Sequence, residues 1–308
     1  MKKFEDNRLL IFDGACGTNL QQMPIPESAW RDCKGCNEFL NLSSPETIVE
    51  LHRSFVEAGA TVLETNTFGA SDIVLAEYDL EDKVEQINHA AVDNARRAIA
   101  STNNVYIAGS VGPGTKLPSL GHITVEQLAC SLRRQIAALV KAGIDAIIIE
   151  TSQDLLQAKT AVITAIDVLA KNSRNIPIML SVTIERQGTM LVGTDIAAVA
   201  AAMEPFGLFS LGLNCATGPQ DMESYIRYLS HNWNGRISCI PNQGLPEIIE
   251  GKTVYPMTPD EYSRQMKHFI TDYGVSIVGG CCGTTPEHIR RLADSVSNIE
   301  PAERKIEQ

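Results

Sequence analysis

The chain predicts a (β/α)8 barrel, an α/β fold of the TIM-barrel type in one domain, and three observations lead there. Short apolar runs alternate with longer helical patterns eight times along 308 residues. The short runs are continuously apolar rather than alternating, the pattern of parallel strands covered on both faces. No Gly-x-Gly-x-x-Gly follows the first run, which disfavours a doubly wound open sheet. A barrel of this type keeps its chemistry at the C-terminal ends of its strands.

The predicted strands are residues 9–12, 62–64, 106–110, 146–150, 178–182, 210–214, 237–240 and 275–279. Helices fit between them at 45–58, 80–100, 124–141, 155–170, 195–203, 222–229 and 258–273, with an eighth starting at Pro286. Ser44 before Pro45 reads as an N-cap followed by proline at the first helical position, and Thr285 reads the same way before Pro286. In the third helix Leu128, Leu132, Ile136 and Leu139 fall close to one face. The barrel is expected to occupy 1–299, with 300–308 as a polar, loosely ordered tail.

Composition narrows the function. Apolar residues make up 44% and charged residues 20%, ordinary for a soluble globular protein. A net charge of -11 and the lack of a Lys/Arg stripe argue against a nucleic-acid surface. No apolar run approaches the roughly 18 residues that span a membrane, and the start, Met1-Lys2-Lys3-Phe4, lacks a signal peptide's apolar core. Eight cysteines in a chain of this size do not form a disulfide scaffold, so the expected compartment is the reducing cytoplasm.

The cysteines carry the strongest signal. Cys281 and Cys282 are adjacent, in Gly279-Gly280-Cys281-Cys282-Gly283-Thr284-Thr285-Pro286, and Cys215 ends Gly212-Leu213-Asn214-Cys215. Vicinal cysteines rarely bond to each other, because the small ring departs from preferred disulfide geometry. Burial as small hydrophobes is the plain alternative, but a pair framed by glycines packs poorly. Cys215 follows strand six, Asn242 strand seven, and the pair strand eight, so all sit at the barrel mouth. Three thiolates around Zn²⁺ leave one tetrahedral position open, the catalytic arrangement. A thiol entering it would lose its proton and become a nucleophile.

Asp13 ends strand one and Glu150 ends strand four. Two carboxylates at one mouth suit a substrate ammonium group, and the glycine-flanked N–H groups after Asp13 suit a carboxylate. Helix capping and loop structure remain open readings of the same residues. Asn66, Thr67 and Phe68 after strand two are expected to line the same pocket. Other signals are weaker. Cys33-Lys34-Gly35-Cys36 has no second pair or nearby histidine to complete a zinc knuckle. Residues 109–116 only approach a phosphate loop, with lysine and threonine inverted. The six histidines show no metal spacing and read mostly as surface residues.

Together these residues resemble the homocysteine S-methyltransferase family. The similarity runs from Asp13-Gly14-Ala15-Cys16-Gly17-Thr18, through Glu64-Thr65-Asn66-Thr67-Phe68, to Gly280-Cys281-Cys282-Gly283-Thr284. It is nearest to the N-terminal homocysteine-binding module of cobalamin-dependent methionine synthases. The resemblance implies one zinc held by Cys215, Cys281 and Cys282, with Asn242 matching the light-atom ligand present before substrate. It implies that Asp13 and Glu150 meet the homocysteine amino group and that Gly14 and Thr18 lie near its carboxylate. Cys16 stands where relatives often differ, and no role follows for it or for Cys33 and Cys36. The implied reaction is methyl transfer to a zinc-held homocysteine thiolate, giving methionine. The implied donor is methylcobalamin on another module or a cobalamin-binding partner, since the chain stops where such modules would begin. A stand-alone enzyme using S-methylmethionine, S-adenosylmethionine or betaine is the alternative. A non-catalytic zinc-binding protein is a rival of another class, and Asp13 and Glu150 speak against it.

Overall fold

The computed structural model describes residues 3–306 except 101, 103, 246, 250, 251 and 256. Eight parallel strands form one ring: β1 (Leu10–Ile11), β2 (Val62–Glu64), β3 (Tyr106–Val111), β4 (Ala146–Ser152), β5 (Ile178–Val182), β6 (Ser210–Asn214), β7 (Arg236–Ile240) and β8 (Ile277–Val278). From β2 onward each pairs with the next in sequence. β8 pairs with β1, and a parallel bridge between Phe12 and Val62 joins β1 to β2. The (β/α)8 barrel expected from the sequence is the observed fold.

Side-chain parity sorts the strands into two cores, because successive residues of a strand point to opposite faces. Leu10, Phe12, Val62, Tyr106, Ala108, Ala146 and Ile148 share one cluster in the barrel interior. Their neighbours Ile11, Leu63, Ile107, Ile147 and Ile149 belong to the large cluster under the helices. Phe4 joins the interior cluster, its ring edge-on to Tyr106 at 5.3 Å between centroids. Continuing the inward series toward the C-terminal ends brings Glu64, Ser110 and Glu150 to the mouth.

Each strand is followed by its helix: α1 (Pro45–Glu57), α2 (Val84–Ala98), α3 (Val125–Ala142), α4 (Leu155–Lys171), α5 (Ile196–Met203), α6 (Pro219–Asn232), α7 (Pro259–Tyr273) and α8 (Pro286–Val296). Thr124 and Thr258 cap α3 and α7 in capping boxes with Gln127 and Glu261. Ser44 does not cap α1 as expected. Its hydroxyl pairs with that of Thr47 at 2.8 Å. α6 starts three residues before the predicted 222, with Pro219 at its first position.

Three departures are larger. Short helices at Cys16–Leu20, Glu27–Trp30 and Leu40–Ser43 fill the connection between β1 and α1. A hairpin, Glu247–Ile249 with Lys252–Val254, follows β7. Within the segment expected to be loose, described up to residue 306, Ala302 N–H donates to Ile270 O at 3.0 Å, and Arg304 donates to Trp233 O at 2.7 Å and to Gly235 O. The guanidinium fork thereby satisfies carbonyls at the end of α6, which polarity along the sequence does not reveal.

Gly212 is required by the β6–β7 contact. A Cβ there would lie 1.9 Å from Ser238 O and 2.2 Å from Ser238 Oγ. Since the obstructing oxygen is backbone, Gly212→Ala should cost about 3 kcal/mol, read as a lower midpoint in chemical denaturation.

Candidate active site

The C-terminal ends of the strands surround a cavity of about 360 Å³. Asp13, after β1, and Glu150, at the end of β4, line it together with Cys215, Cys281 and Cys282. Those three sulfurs lie within 4.8 Å of one another, and they form a cluster of metal-ligand type among the described residues. Cys281 Sγ donates toward Cys282 Sγ across 4.0 Å. Thiols of Cys215 and Cys281 donating to Cys282 pull its thiol down to about 3, while the shared hydrogen bonds push Cys281 well above the thiol range.

The loop after β7 holds all three cysteines through backbone. Ile240 O accepts from Cys215 N–H at 3.2 Å, Pro241 O from Cys281 N–H at 2.8 Å, and Gln243 N–H donates to Cys282 O at 2.9 Å. Cys215 and Ala216 both adopt left-handed φ, 61° and 57°. This costs energy in non-glycine residues and is met at sites where surrounding contacts dictate the backbone. Asn242 is buried, and its Oδ1 has no hydrogen-bond partner among the described residues. Tyr255 covers Gly283: a methyl there would meet its ring at 2.5 Å.

On the carboxyl side Asp13 and Glu150 are buried and Glu64 is half-buried. Glu64 N–H donates to both Asp13 oxygens at 3.2 Å. Glu150 accepts from Ser110 Oγ at 2.5 Å and from Asn214 Nδ2 at 3.3 Å. Asn214 also takes the Thr151 N–H at 2.9 Å, so the residue before Cys215 braces Glu150. Burial first, then the charge of Glu150, holds Asp13 and Glu64 well above the usual carboxylate range, Asp13 adding to the push on Glu64. Burial raises Glu150 as well.

Not every expected residue faces the cavity. Gly14, Thr18, Asn66 and Phe68 line it, with Phe68 43% exposed at its rim. Gly14 has no room for a side chain, since a Cβ would meet the Phe55 ring at 2.7 Å. Thr18 Oγ1 accepts from Gly283 N–H at 3.2 Å, tying the first loop to the cysteine loop. Thr67 is fully buried and does not line the cavity. Its hydroxyl pairs with Thr65 Oγ1 at 2.6 Å and donates to Ser110 O at 2.7 Å. Cys33 and Cys36 pack in an apolar cluster with Phe39, Leu75 and Leu80. In the near phosphate loop, Gly112 N–H donates to Phe68 O at 3.1 Å and bears the rim.

Sequence reasoning missed Glu64, Ser110, Asn214, Glu38 and His52. Inward parity along β2 and β3 would have found the first two. His52 corrects the expectation of surface histidines: it is buried in α1, 3.9 Å from Asp13 Oδ2, and burial lowers it to about 4. Helical periodicity marks it only as one more inward position. Cys16 is at the mouth, its Sγ 3.5 Å from Asn66 Oδ1, with burial pushing its thiol up.

Comparison with known proteins agrees. The homocysteine S-methyltransferase family model matches residues 10–296. The methionine synthase of Mycobacterium tuberculosis (strain ATCC 25618 / H37Rv) is 41% identical over 303 residues, 97% of this chain. That of Mycobacterium leprae (strain TN) is 41% identical over 294 residues, 94% of it. The chain spans about a quarter of these relatives, 25% and 24% of their lengths. Among solved structures, the metallated form of the homocysteine methyltransferase MmuM from Escherichia coli superposes with a TM-score of 0.76 at 23% identity, covering 94% of this chain and 97% of that one. That likeness bears on the fold alone. On the match across nearly its whole length, the chain belongs to the homocysteine S-methyltransferase family.

Proposed function

We propose that this barrel binds zinc through Cys215, Cys281 and Cys282 and methylates the thiol of homocysteine to give methionine. The observation that carries the reading is the convergence of three sulfurs within 4.8 Å in a cavity shared with Asp13 and Glu150. The donor set fits the metal: three soft ligands, with the Cys282 thiol held low by its neighbours, and a buried Asn242 Oδ1 with no partner among the described residues. Zinc held there would favour the deprotonated form of an incoming thiol at neutral pH.

The chain's own residues do the rest by positioning. Asp13 and Glu150 take the substrate ammonium, each already braced by donors that fix its carboxyl plane. Backbone N–H groups after Asp13, near Gly14 and Thr18, receive the carboxylate. Phe68 and Asn66 form the rim on the β2 side. Held at both ends of its amino-acid group, the substrate directs its sulfur to the cysteines, so orientation supplies much of the rate. For the donor we propose methylcobalamin carried by a separate module or partner. The motif resemblance supports it, as does the match to a quarter of each methionine synthase.

Three measurements test this. Metal analysis should find one zinc per chain, lost in Cys215→Ala, Cys281→Ala or Cys282→Ala and retained when Cys33 and Cys36 are both changed to Ser. Zinc loss in the double variant alone would refute the assignment.

Glu150→Ala should keep its zinc yet weaken homocysteine binding about 10- to 150-fold, the loss of about 1.5–3 kcal/mol from one charged hydrogen bond. A simple thiol without an amino group should bind unchanged. Ammonium pairing needs ionised carboxyls, and these are raised when the cavity is empty. Protons therefore compete at low pH, and homocysteine affinity should climb with pH above the usual carboxylate range more steeply than that of the simple thiol. Parallel curves in calorimetry would remove Asp13 and Glu150 from ammonium recognition.

In a methionine-formation assay, methylcobalamin should outpace S-methylmethionine, S-adenosylmethionine and betaine at equal concentration. A faster rate with any of the three would replace the proposed donor.

A further inference from the structure

The two carboxyls assigned to the ammonium are unevenly braced. Glu150 accepts from Ser110 Oγ at 2.5 Å and from Asn214 Nδ2 at 3.3 Å. Asp13 leans on one neighbouring donor, the Glu64 N–H, which its two oxygens share at 3.2 Å each. A carboxylate offers about four lone-pair positions, so Asp13 has acceptor capacity to spare. No Lys, Arg or His is among the described residues that line the cavity. The basic side chain that reaches Asp13 comes from behind the wall. His52 of α1 turns Nδ1 toward Asp13 Oδ2 at 3.9 Å. Phe55, one turn on, packs its ring where a Cβ on Gly14 would lie, at 2.7 Å, so this face of α1 rests directly on the loop that carries Asp13.

Both groups are shut off from water, with side chains 3% and 7% exposed. His52 Nε2 is buried and has no hydrogen-bond partner among the described residues. That orphan atom decides between the two neutral forms of the ring. A proton on Nε2 would bury an N–H with nothing to accept it, and orphaned buried donors are rare in folded proteins. A proton on Nδ1 faces a carboxyl oxygen with room for it and leaves Nε2 as a bare acceptor. An imidazolium would carry the same unanswered Nε2–H, and burial also lowers the group to about 4. The separation exceeds a normal N–H···O bond by roughly 1 Å. Hydrogen bonds at substrate sites are often this long before the substrate arrives and tighten when it does.

We propose that His52, as the Nδ1–H tautomer, is the positioning residue of Asp13: it donates to Oδ2 from behind while the substrate ammonium approaches from the cavity. A donor there favours the ionised carboxyl and fixes its plane, the service that Ser110 and Asn214 perform for Glu150. The positioning role rests on the function proposed above, whereas the tautomer does not.

The test uses the metal-replete chain carrying ¹⁵N-histidine at pH 7. Long-range proton–nitrogen spectra distinguish the two tautomers and the imidazolium, and the signals lost in His52→Asn or His52→Gln assign His52. An Nδ1–H pattern is expected. Adding homocysteine should move that proton downfield as the bond shortens, and a simple thiol without an amino group should not. An Nε2–H or imidazolium pattern, or equal movement with both thiols, would overturn the proposal. Binding supplies the second readout. Asparagine places its amide N–H near the position of Nδ1, and glutamine near that of Nε2. His52→Asn should therefore hold homocysteine within about threefold of wild type, while His52→Gln should lose about tenfold. Glutamine is the better helix former, so a purely structural role in α1 would give the reverse order. That order, or equal losses, would refute donation from Nδ1. If either variant fails to fold, the tautomer and its response to homocysteine still decide. An Nδ1–H pattern in a chain that binds no homocysteine would sink the proposed function and leave the tautomer standing.

Discussion

The ring closes where β8 meets β1, and the residues that close it also build the site. Gly280 N–H donates to Asp13 O at 3.0 Å, Ala15 N–H to Thr284 Oγ1 at 3.1 Å, and Asn19 Nδ2 to Thr284 O at 2.8 Å. Thr284 in turn donates its hydroxyl to Cys281 O at 2.6 Å. One threonine thus links the loop that carries Asp13 to the loop that carries two of the cysteines. Close approach here depends on glycine, since a Cβ on Gly280 would stand 2.4 Å from Thr284 Oγ1. Buried Tyr262 adds an O–H bond to Gly279 O at 2.5 Å, anchoring the same corner to α7.

Around that corner the cavity is divided by chemistry. Sulfurs gather on the β6 and β8 side and carboxyls on the β1, β2 and β4 side, with Asn214 reaching from Cys215's neighbour to Glu150. The division suits a substrate that is a thiol at one end and an amino acid at the other. Strain accompanies it: Thr151, Cys215 and Ala216 all carry positive φ, at 56°, 61° and 57°. Thr151 sits at the register shift near the end of β4, next to Glu150, while Cys215 and Ala216 form the turn where β6 leaves the barrel.

Much of this was legible in the sequence. Continuous apolar runs located all eight strands because both faces of a barrel strand are covered, and the vicinal cysteines stood out because their setting suits no ordinary packing role. Glu64 escaped notice because a charged residue at a strand end looks like a boundary until inward parity is followed through Val62. Thr67 was misjudged from its place in a motif, as its hydroxyl serves β3 rather than the cavity. The hairpin after β7 and the docked Arg304 depend on contacts between distant segments, which local periodicity cannot express. Tyr255 covers the cysteine loop from such a connection.

The Thr284 link also bears on the order of assembly. Ala15 and Thr284 are 269 positions apart, and Asn19 and Thr284 265. Closing so long a loop is entropically slow, and contacts of this separation tend to form late. Until β8 docks, Cys215 faces an open edge without its two partners and the carboxyl pocket lacks one wall. Were a metal held by the three cysteines as proposed, its capture would belong to the final step of folding, acting as a latch on the completed ring, and its binding energy would weigh on the last strand to arrive.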